Sequence, residues 1–212
     1  MAVINIKGAI VSNDEQPIYE WVGYEAVSPK VVEDQIKQAK GDDLEVFINS
    51  PGGSVHSASE IYTTLKSYPK NVIVKIIGVA ASAASVIAMA GKTVLMSPTA
   101  SIMIHNVSTV TAGDYRNMEH MAEVLRNANK TIANAYGIKT GMREDALLSL
   151  MDKETWLTPQ QALAYKFIDG IMFNNQVGTQ QVSSQVSSDS NRYEKAKAQL
   201  NLLKLKGDIH HE

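Results

Sequence analysis

The feature that most constrains the fold of this sequence is a regular alternation of strand-like and helix-like segments over its first 173 residues. Short runs rich in β-branched residues, such as AVINIKGAIV, LEVFINS and NVIVKIIG, are each followed by a segment with helical spacing of its apolar residues. This alternation is typical of parallel strands that are joined by crossover helices. The sequence therefore predicts an α/β fold built on a parallel sheet.

The alternating pattern ends near Phe173, where the composition changes. Residues 174–191 are rich in Gln, Ser and Asn and contain no apolar residue larger than valine, which predicts a flexible linker. Residues 192–212 have the spacing of a short helix that is marginal on its own. We therefore expect one domain over residues 1–173, a linker over residues 174–191, and a short helix or tail over residues 192–212.

The composition excludes several classes of function. The chain has no cysteine, which rules out disulfides, thiolate catalysis and cysteine-ligated zinc, and no histidine pair in the domain has metal-ligand spacing. A formal net charge of −2 gives no electrostatic basis for binding nucleic acid or an acidic membrane. The longest apolar run, residues 79–90, is too short to span a bilayer. The amino-terminal segment lacks the pattern of a signal peptide, so we expect a cytoplasmic protein.

The segment GVAASAASVIAMAG, residues 78–91, places Ser82 where a strand is expected to give way to a helix. We expect the strand to end at Ile77 and Gly78 to allow a sharp bend. A serine at such a junction lies near free backbone N–H groups, which suits a nucleophile whose attack generates an oxyanion. Local sequence alone favours the simpler role of an N-cap for Ser82, and helix packing for Ser85.

Two further motifs carry chemistry. PGGS, at residues 51–54, follows a predicted strand, where glycines let backbone amides face a ligand, although a plain turn explains it as well. His105 closes the apolar strand SIMIH, at the strand end where α/β folds place active groups, although a lone histidine there is more often structural. A Ser–His pair also needs an orienting carboxylate. Spacing leaves four carboxylates open for that role: Asp114, Asp152, Glu154 and Asp169.

Four segments, in chain order, form a specific series: INSPGGSV, GVAASAAS, SIMIHN and ETWLTPQQALAYKFIDGI. In this order they resemble the ClpP family of serine peptidases, peptidase family S14, over residues 4–171. The segments ASVIAMAG, MIHN and ETWLTPQQA most resemble the ClpP-related head maturation proteases of tailed phages. The resemblance implies a ClpP/crotonase-type fold of repeated ββα units with a protruding handle helix, which the helical stretch at residues 112–136 matches.

The resemblance also implies the roles of individual residues. Ser82 aligns with the family's nucleophile and His105 with its general base, so the N-cap becomes the minor interpretation of Ser82. The backbone amides of Gly53 and Ala83 align with the oxyanion donors. The implied activity is that of an ATP-independent or Clp-type serine endopeptidase that needs no cofactor.

The third catalytic residue departs from the family pattern, which has an aspartate just before the aromatic-Leu-Ser/Thr stretch. Aligning WLTPQQA without gaps puts Glu154 at that position. Asp152 is the alternative, because a shift of the backbone would bring its shorter side chain into reach.

The resemblance implies protein or peptide substrates and a homo-oligomeric ring, a heptamer or a double ring. For a phage enzyme it also implies capsid or scaffold proteins as partners in the host cytoplasm. Three alternatives stay open at this stage. They are the housekeeping proteolytic subunit of an ATP-dependent Clp protease, a crotonase-like acyl-CoA enzyme, and a catalytically inactive, ring-forming structural protein.

Overall fold

Within residues 1–174, the part of the chain that the computed structural model describes, eight strands form one sheet and seven helices surround it. The strands are β1 (Ala2–Ile10), β2 (Ala26–Val27), β3 (Leu44–Gly53), β4 (Val72–Ala81), β5 (Thr93–Met96), β6 (Ser101–Ile104), β7 (Thr155–Leu157) and β8 (Gly170–Ile171). The helices are α1 (Gln16–Val22), α2 (Pro29–Gln38), α3 (Val55–Lys66), α4 (Ala83–Ala88), α5 (Tyr115–Thr140), α6 (Glu144–Asp152) and α7 (Pro159–Ala164). The predicted linker, beyond its first residue, and the predicted helix or tail over residues 192–212 lie outside the described residues.

The sheet has the strand order β2-β1-β3-β4-β5-β8, and β6 joins it by pairing with the carboxyl-terminal end of β4. This confirms the predicted α/β fold with a parallel sheet, and it agrees with the ClpP-type fold that the resemblance implied. One strand departs from the parallel arrangement: β7 runs antiparallel to β6. The sequence pattern did not reveal β7, β2 or α1, because two or three strand residues or two helical turns are too few to establish a period.

The frame beneath the site is a tightly packed aliphatic core. In the first half of each of the two central strands β3 and β4, one face is buried and carries β-branched residues and leucine: Leu44, Val46, Ile48, Val72, Val74 and Ile76. Helix α4 buries all six of its residues, because alanine and serine are small enough to let its backbone approach the sheet closely. Burying each large aliphatic side chain contributes about 1.5–3 kcal/mol to the stability of the fold. This core therefore stabilises the strands whose ends carry the site.

Two strands run further than the sequence predicted. Strand β3 continues through Pro51 to Gly53 instead of turning at the PGG motif, because Gly52 and Gly53 pair with the end of β1. Strand β4 continues past Gly78 to Ala81, since β6 replaces β5 as its partner there. The sharp bend that was expected at Gly78 therefore occurs at Ser82, the residue between β4 and α4.

Helix α5 corresponds to the handle helix that was predicted over residues 112–136. It begins at Tyr115 and ends at Thr140, four residues later than predicted. Asp114 and Asn117 form a capping box at its start, and Gly141 ends it in the left-handed conformation. Its buried residues all lie in the last third of the helix: Ile132, Ala133, Ala135, Tyr136 and Thr140. The first half is largely exposed. Neither α5 nor any other helix within residues 1–174 is long and apolar enough to cross a membrane.

Candidate active site

A cavity of about 180 Å³ lies where three neighbouring strands end, and four of the predicted site residues line it. Gly53 is the last residue of β3, Ser82 and Ala83 follow β4, and His105 follows β6. The remaining wall is mostly aliphatic, with Val55, Val86, Val107 and Ile132. Carboxyl ends of parallel strands lie at the same edge of a sheet, so the topology brings together residues that are far apart in sequence.

Ser82 has the backbone and side-chain geometry of a presented nucleophile. Its φ of 54° and ψ of −126° are strained for a residue with a Cβ atom, and such strain typically costs about 1–3 kcal/mol. It occupies the N-cap position of α4 but makes no side-chain capping hydrogen bond. Instead its Oγ lies 2.7 Å from Nε2 of His105. The geometry thus favours the nucleophile interpretation of Ser82 over the N-cap.

His105 contacts Ser82 with the ring nitrogen that a general base would use. If Nε2 is to accept the serine proton, the ring hydrogen must be on Nδ1, which then needs an acceptor. The imidazole is half-buried at the mouth of the cavity. A general-base role for His105 thus requires the tautomer with its hydrogen on Nδ1 and an orienting carboxylate on the Nδ1 side of the ring.

Two of the four candidate carboxylates are engaged elsewhere. Asp114 caps α5 and pairs with Arg116, whose guanidinium, together with the backbone amides of the first turn, lowers the pKa of Asp114. Asp169 accepts hydrogen bonds from Nζ of Lys139 and from the amide of Val94. Both carboxylates therefore have partners in the fold other than His105.

The other two candidates lie beside the site. In the antiparallel β6–β7 pair, Ile104 lies opposite Thr155, so continuing the register by one residue puts His105 opposite Glu154. In this structure a Glu154 carboxylate oxygen accepts a hydrogen bond from Nε1 of Trp156 at 3.3 Å. Among the hydrogen bonds within residues 1–174, none joins His105 to Glu154 or Asp152.

Asp152 is held by the residue after the histidine. Nδ2 of Asn106 donates to Oδ1 of Asp152 at 2.8 Å. Asp152 therefore approaches the end of β6 through Asn106, whereas Glu154 is the residue next to the last β6–β7 pair, as His105 is on the other strand. The choice between the two carboxylates stays a prediction, with the register favouring Glu154.

The two glycines of the PGG motif bring strand β3 against the nucleophile turn. A Cβ atom on Gly52, whose φ is 102°, would lie 2.7 Å from Cβ of Ser82 and 2.8 Å from the carbonyl oxygen of Ala81. A Cβ atom on Gly53, whose φ is 148°, would overlap the carbonyl oxygen of Ile10. The sequence indicated that amides here could face a ligand, but not that Gly52 touches the serine itself.

Two more residues of the site were not predicted to take part in it. Tyr136 of α5 lines the cavity, and its hydroxyl lies 2.7 Å from Oγ of Ser85. Ser85, expected only to pack within its helix, hydrogen-bonds in turn to the carbonyl oxygen of Ser82. No local pattern signals this contact, because Tyr136 lies 51 residues from Ser85 in sequence.

The site contains donors and acceptors for proton transfer but not the ligands of a metal centre. In the described part of the chain, no three histidine, aspartate or glutamate side chains come together in a way that could hold a metal ion. The arrangement has a base in contact with the Ser82 hydroxyl, and the two predicted oxyanion donors, the amides of Gly53 and Ala83, belong to residues that line the same cavity.

Comparison with known proteins agrees with this chemistry. An α/β fold with a serine and a histidine in contact at the strand ends defines a protein of the serine hydrolase type. The Clp protease family profile matches residues 25–175, so the chain belongs to the Clp protease family, as the four-segment resemblance predicted.

Curated relatives carry the same family name. The chain is 30% identical over 131 residues to ATP-dependent Clp protease proteolytic subunit 1 of Leifsonia xyli subsp. xyli, covering 61% of this chain and 66% of that protein. It is 33% identical over 133 residues to subunit 1 of Streptomyces avermitilis, covering 61% of each. It is 31% identical over 137 residues to the proteolytic subunit of Streptococcus gordonii, covering 63% of this chain and 70% of that protein. The chain thus spans slightly less than two thirds of the first two relatives.

Proposed function

We propose that this chain is a serine endopeptidase that hydrolyses peptide bonds through Ser82 and His105. The observation that carries the proposal is the 2.7 Å contact between Oγ of Ser82 and Nε2 of His105 at the mouth of a cavity. The strained backbone of Ser82 supports it, because strain of this kind clusters at functional sites. A crotonase-like acyl-CoA enzyme would give this contact no role.

The reaction is acyl transfer in two stages. His105 takes the Ser82 proton as Oγ attacks the carbonyl carbon of the substrate, and the proton then passes to the leaving amine as the C–N bond breaks. A water molecule attacks the resulting ester, gives its proton to His105, and releases the acid while Ser82 recovers its proton. The negative oxygen of each tetrahedral intermediate is stabilised by the amides of Gly53 and Ala83, and one such donor typically contributes about 10²–10³ in rate.

The proposal is tested by labelling the purified full-length chain with a fluorophosphonate probe and mapping the adduct by mass spectrometry. We expect one adduct, on Ser82, because only a deprotonated and exposed serine reacts at a useful rate. His105→Ala is expected to abolish it, and His120→Ala, on the exposed part of α5, is expected to leave it unchanged. A folded chain that is not labelled would contradict the proposal and favour the inactive, ring-forming structural protein.

We expect Glu154→Gln to lower kcat by at least about 10²-fold, because the loss of an orienting carboxylate leaves the imidazole in the wrong tautomer. Asp152→Asn is the matched variant, since it also exchanges one carboxylate for an amide of the same size beside the histidine. It is expected to cost far less, because the β6–β7 register favours Glu154 as the partner of His105, while Asp152 hydrogen-bonds to Asn106. Steady-state kinetics on a fluorogenic peptide checks both, and the reverse order of effects would assign the role to Asp152.

Two biological roles fit this chemistry. The curated relatives are named as proteolytic subunits of ATP-dependent Clp proteases, which favours a housekeeping subunit that receives unfolded substrates. The segments ASVIAMAG, MIHN and ETWLTPQQA favour a phage head maturation protease that acts on capsid or scaffold proteins. For either role we propose a homo-oligomeric ring, a heptamer or a double ring, whose subunits native mass spectrometry would count.

The two roles differ in what delivers the substrate. A housekeeping subunit should degrade a folded protein only when an ATP-driven unfoldase and ATP are both present. A head maturation protease should cleave a capsid or scaffold precursor without either. Incubating the chain with each substrate, with and without unfoldase and ATP, separates the roles by gel electrophoresis.

A further inference from the structure

The carbonyl group of Ser82 is fixed by two hydrogen bonds from one residue. The backbone N–H of Ser85 donates to the Ser82 oxygen at 3.0 Å, and the Ser85 hydroxyl donates to the same oxygen at 2.6 Å. Ser85 is completely buried. Both lone pairs of this carbonyl are therefore occupied, and the orientation of the Ser82 carbonyl depends on the side chain of Ser85.

The Ser85 hydroxyl is held in its turn by Tyr136. The two hydroxyl oxygens lie 2.7 Å apart, and the single hydrogen of Ser85 is already used on the Ser82 carbonyl, which cannot donate. Tyr136 must therefore be the donor. Burial raises the pKa of Tyr136, so its hydroxyl keeps this hydrogen throughout the neutral range. Its ring also packs against Phe167, with the ring centroids 5.6 Å apart.

The carbonyl that Ser85 holds belongs to the same peptide unit as the amide of Ala83. A peptide unit is planar and trans, so the direction of the Ser82 C=O bond sets the direction of the Ala83 N–H bond. Hydrogen bonds in a chain also polarise one another, so a carbonyl that accepts strongly makes the attached N–H a better donor. The series of hydrogen bonds from Tyr136 through Ser85 thus ends at the peptide unit that carries the amide of Ala83, a residue that lines the cavity beside Ser82.

We propose that Tyr136 is a positioning residue that orients the Ala83 amide toward the developing oxyanion, acting through the Ser85 hydroxyl and the Ser82 carbonyl. This inference rests on the peptidase function proposed above. It assigns to α5, which begins far from the site, a direct role in the geometry of the oxyanion donor. It also gives the fully buried Ser85 a role that a residue serving only helix packing would not have.

The proposal makes a prediction that simple packing does not. An oxyanion donor acts in the transition state and not on the bound substrate, so its misalignment lowers kcat and leaves KM unchanged. Removing an oxyanion donor typically costs about 10²–10³ in rate, and a donor that is misaligned but still present costs less. We therefore expect Tyr136→Phe to lower kcat about tenfold while KM stays within about twofold of the unmodified chain.

The experiment compares four variants of the full chain: Tyr136→Phe, Ser85→Ala, the two combined, and Phe167→Leu. For each, kcat and KM on a fluorogenic peptide, the rate of fluorophosphonate labelling of Ser82, and the midpoint of thermal unfolding are measured. Phe167→Leu is the structural control, since it loosens the packing of the Tyr136 ring but removes no hydrogen bond. It is expected to lower the unfolding midpoint and to leave kcat within about twofold.

The double variant tests whether Tyr136 acts through Ser85, as the proposed series of hydrogen bonds requires. If Tyr136 acts only through Ser85, the double variant has the same kcat as Ser85→Ala alone, because removing the first link adds nothing once the second is lost. Equal kcat for Tyr136→Phe and the unmodified chain, or a loss that follows the unfolding midpoint and appears in Phe167→Leu as well, would overturn the inference and leave the peptidase intact. An unmodified chain that neither cleaves peptide nor takes the probe would instead overturn the proposed function and this inference together.

Discussion

Replacing Ser82 with alanine is expected to lower peptide hydrolysis by about 10⁴-fold or more and to change the free energy of unfolding little. The large loss follows because the proposed reaction forms a covalent ester on Oγ of Ser82, the serine of the cavity wall whose hydroxyl contacts His105. Stability should hardly change, because alanine at this position keeps the same strained backbone and removes no capping hydrogen bond. Hydrolysis of a fluorogenic peptide and urea unfolding measure the two effects.

Ser149→Ala is the control for this substitution, because Ser149 is an exposed serine on α6, away from the cavity. His105→Ala is expected to cost about as much as Ser82→Ala, and the combination no more than either, since the two residues act as one unit. Substantial hydrolysis by the Ser82→Ala variant would show that another residue is the nucleophile.

The sequence was sufficient for the residues whose role is local. Ser82 follows a strand and precedes a helix, His105 ends an apolar strand, and both facts are visible in a few neighbouring letters. The four-segment resemblance then assigned the pair, and the 2.7 Å contact is the geometry that this assignment requires. The prediction of the α/β class rests on a pattern that repeats over 173 residues. It therefore stays correct even where the bounds of single strands or helices are predicted wrongly.

The parts that could not be predicted depend on partners far away in sequence. Strand β4 extends to Ala81 only because β6 pairs with its end, which moves the bend from Gly78 to Ser82. The Tyr136–Ser85 contact depends on how α5 packs against α4, and no local sequence pattern determines that packing. The predicted orienting carboxylate depends on a distant partner in the same way. Glu154 is placed by a register between β6 and a strand of three residues, too short to be recognised in the sequence.

The PGG motif illustrates the same limit, and it leads to the second prediction. From the sequence, two glycines after a strand indicated a turn or a set of free amides. The structure shows that β3 continues through them and that Gly52 touches the nucleophile turn. We therefore expect Gly52→Ala to lower kcat by about 10²-fold or more, because the new methyl group has to push Ser82 away from its contact with His105.

Gly41→Ala separates this clash from the conformational cost of adding any side chain at positive φ. Gly41 has a φ of 84°, close to the 102° of Gly52, but a Cβ atom there would meet nothing within 4 Å. Left-handed backbone costs a residue with a side chain about 1–2 kcal/mol, and forcing an extra methyl group into a packed site adds about 1–3 kcal/mol. Both variants should therefore lose stability in urea, Gly52→Ala the more, but only Gly52→Ala should lose activity. If kcat survives in Gly52→Ala, the strand ends can separate without misplacing Ser82, and the close approach of β3 is a matter of stability alone.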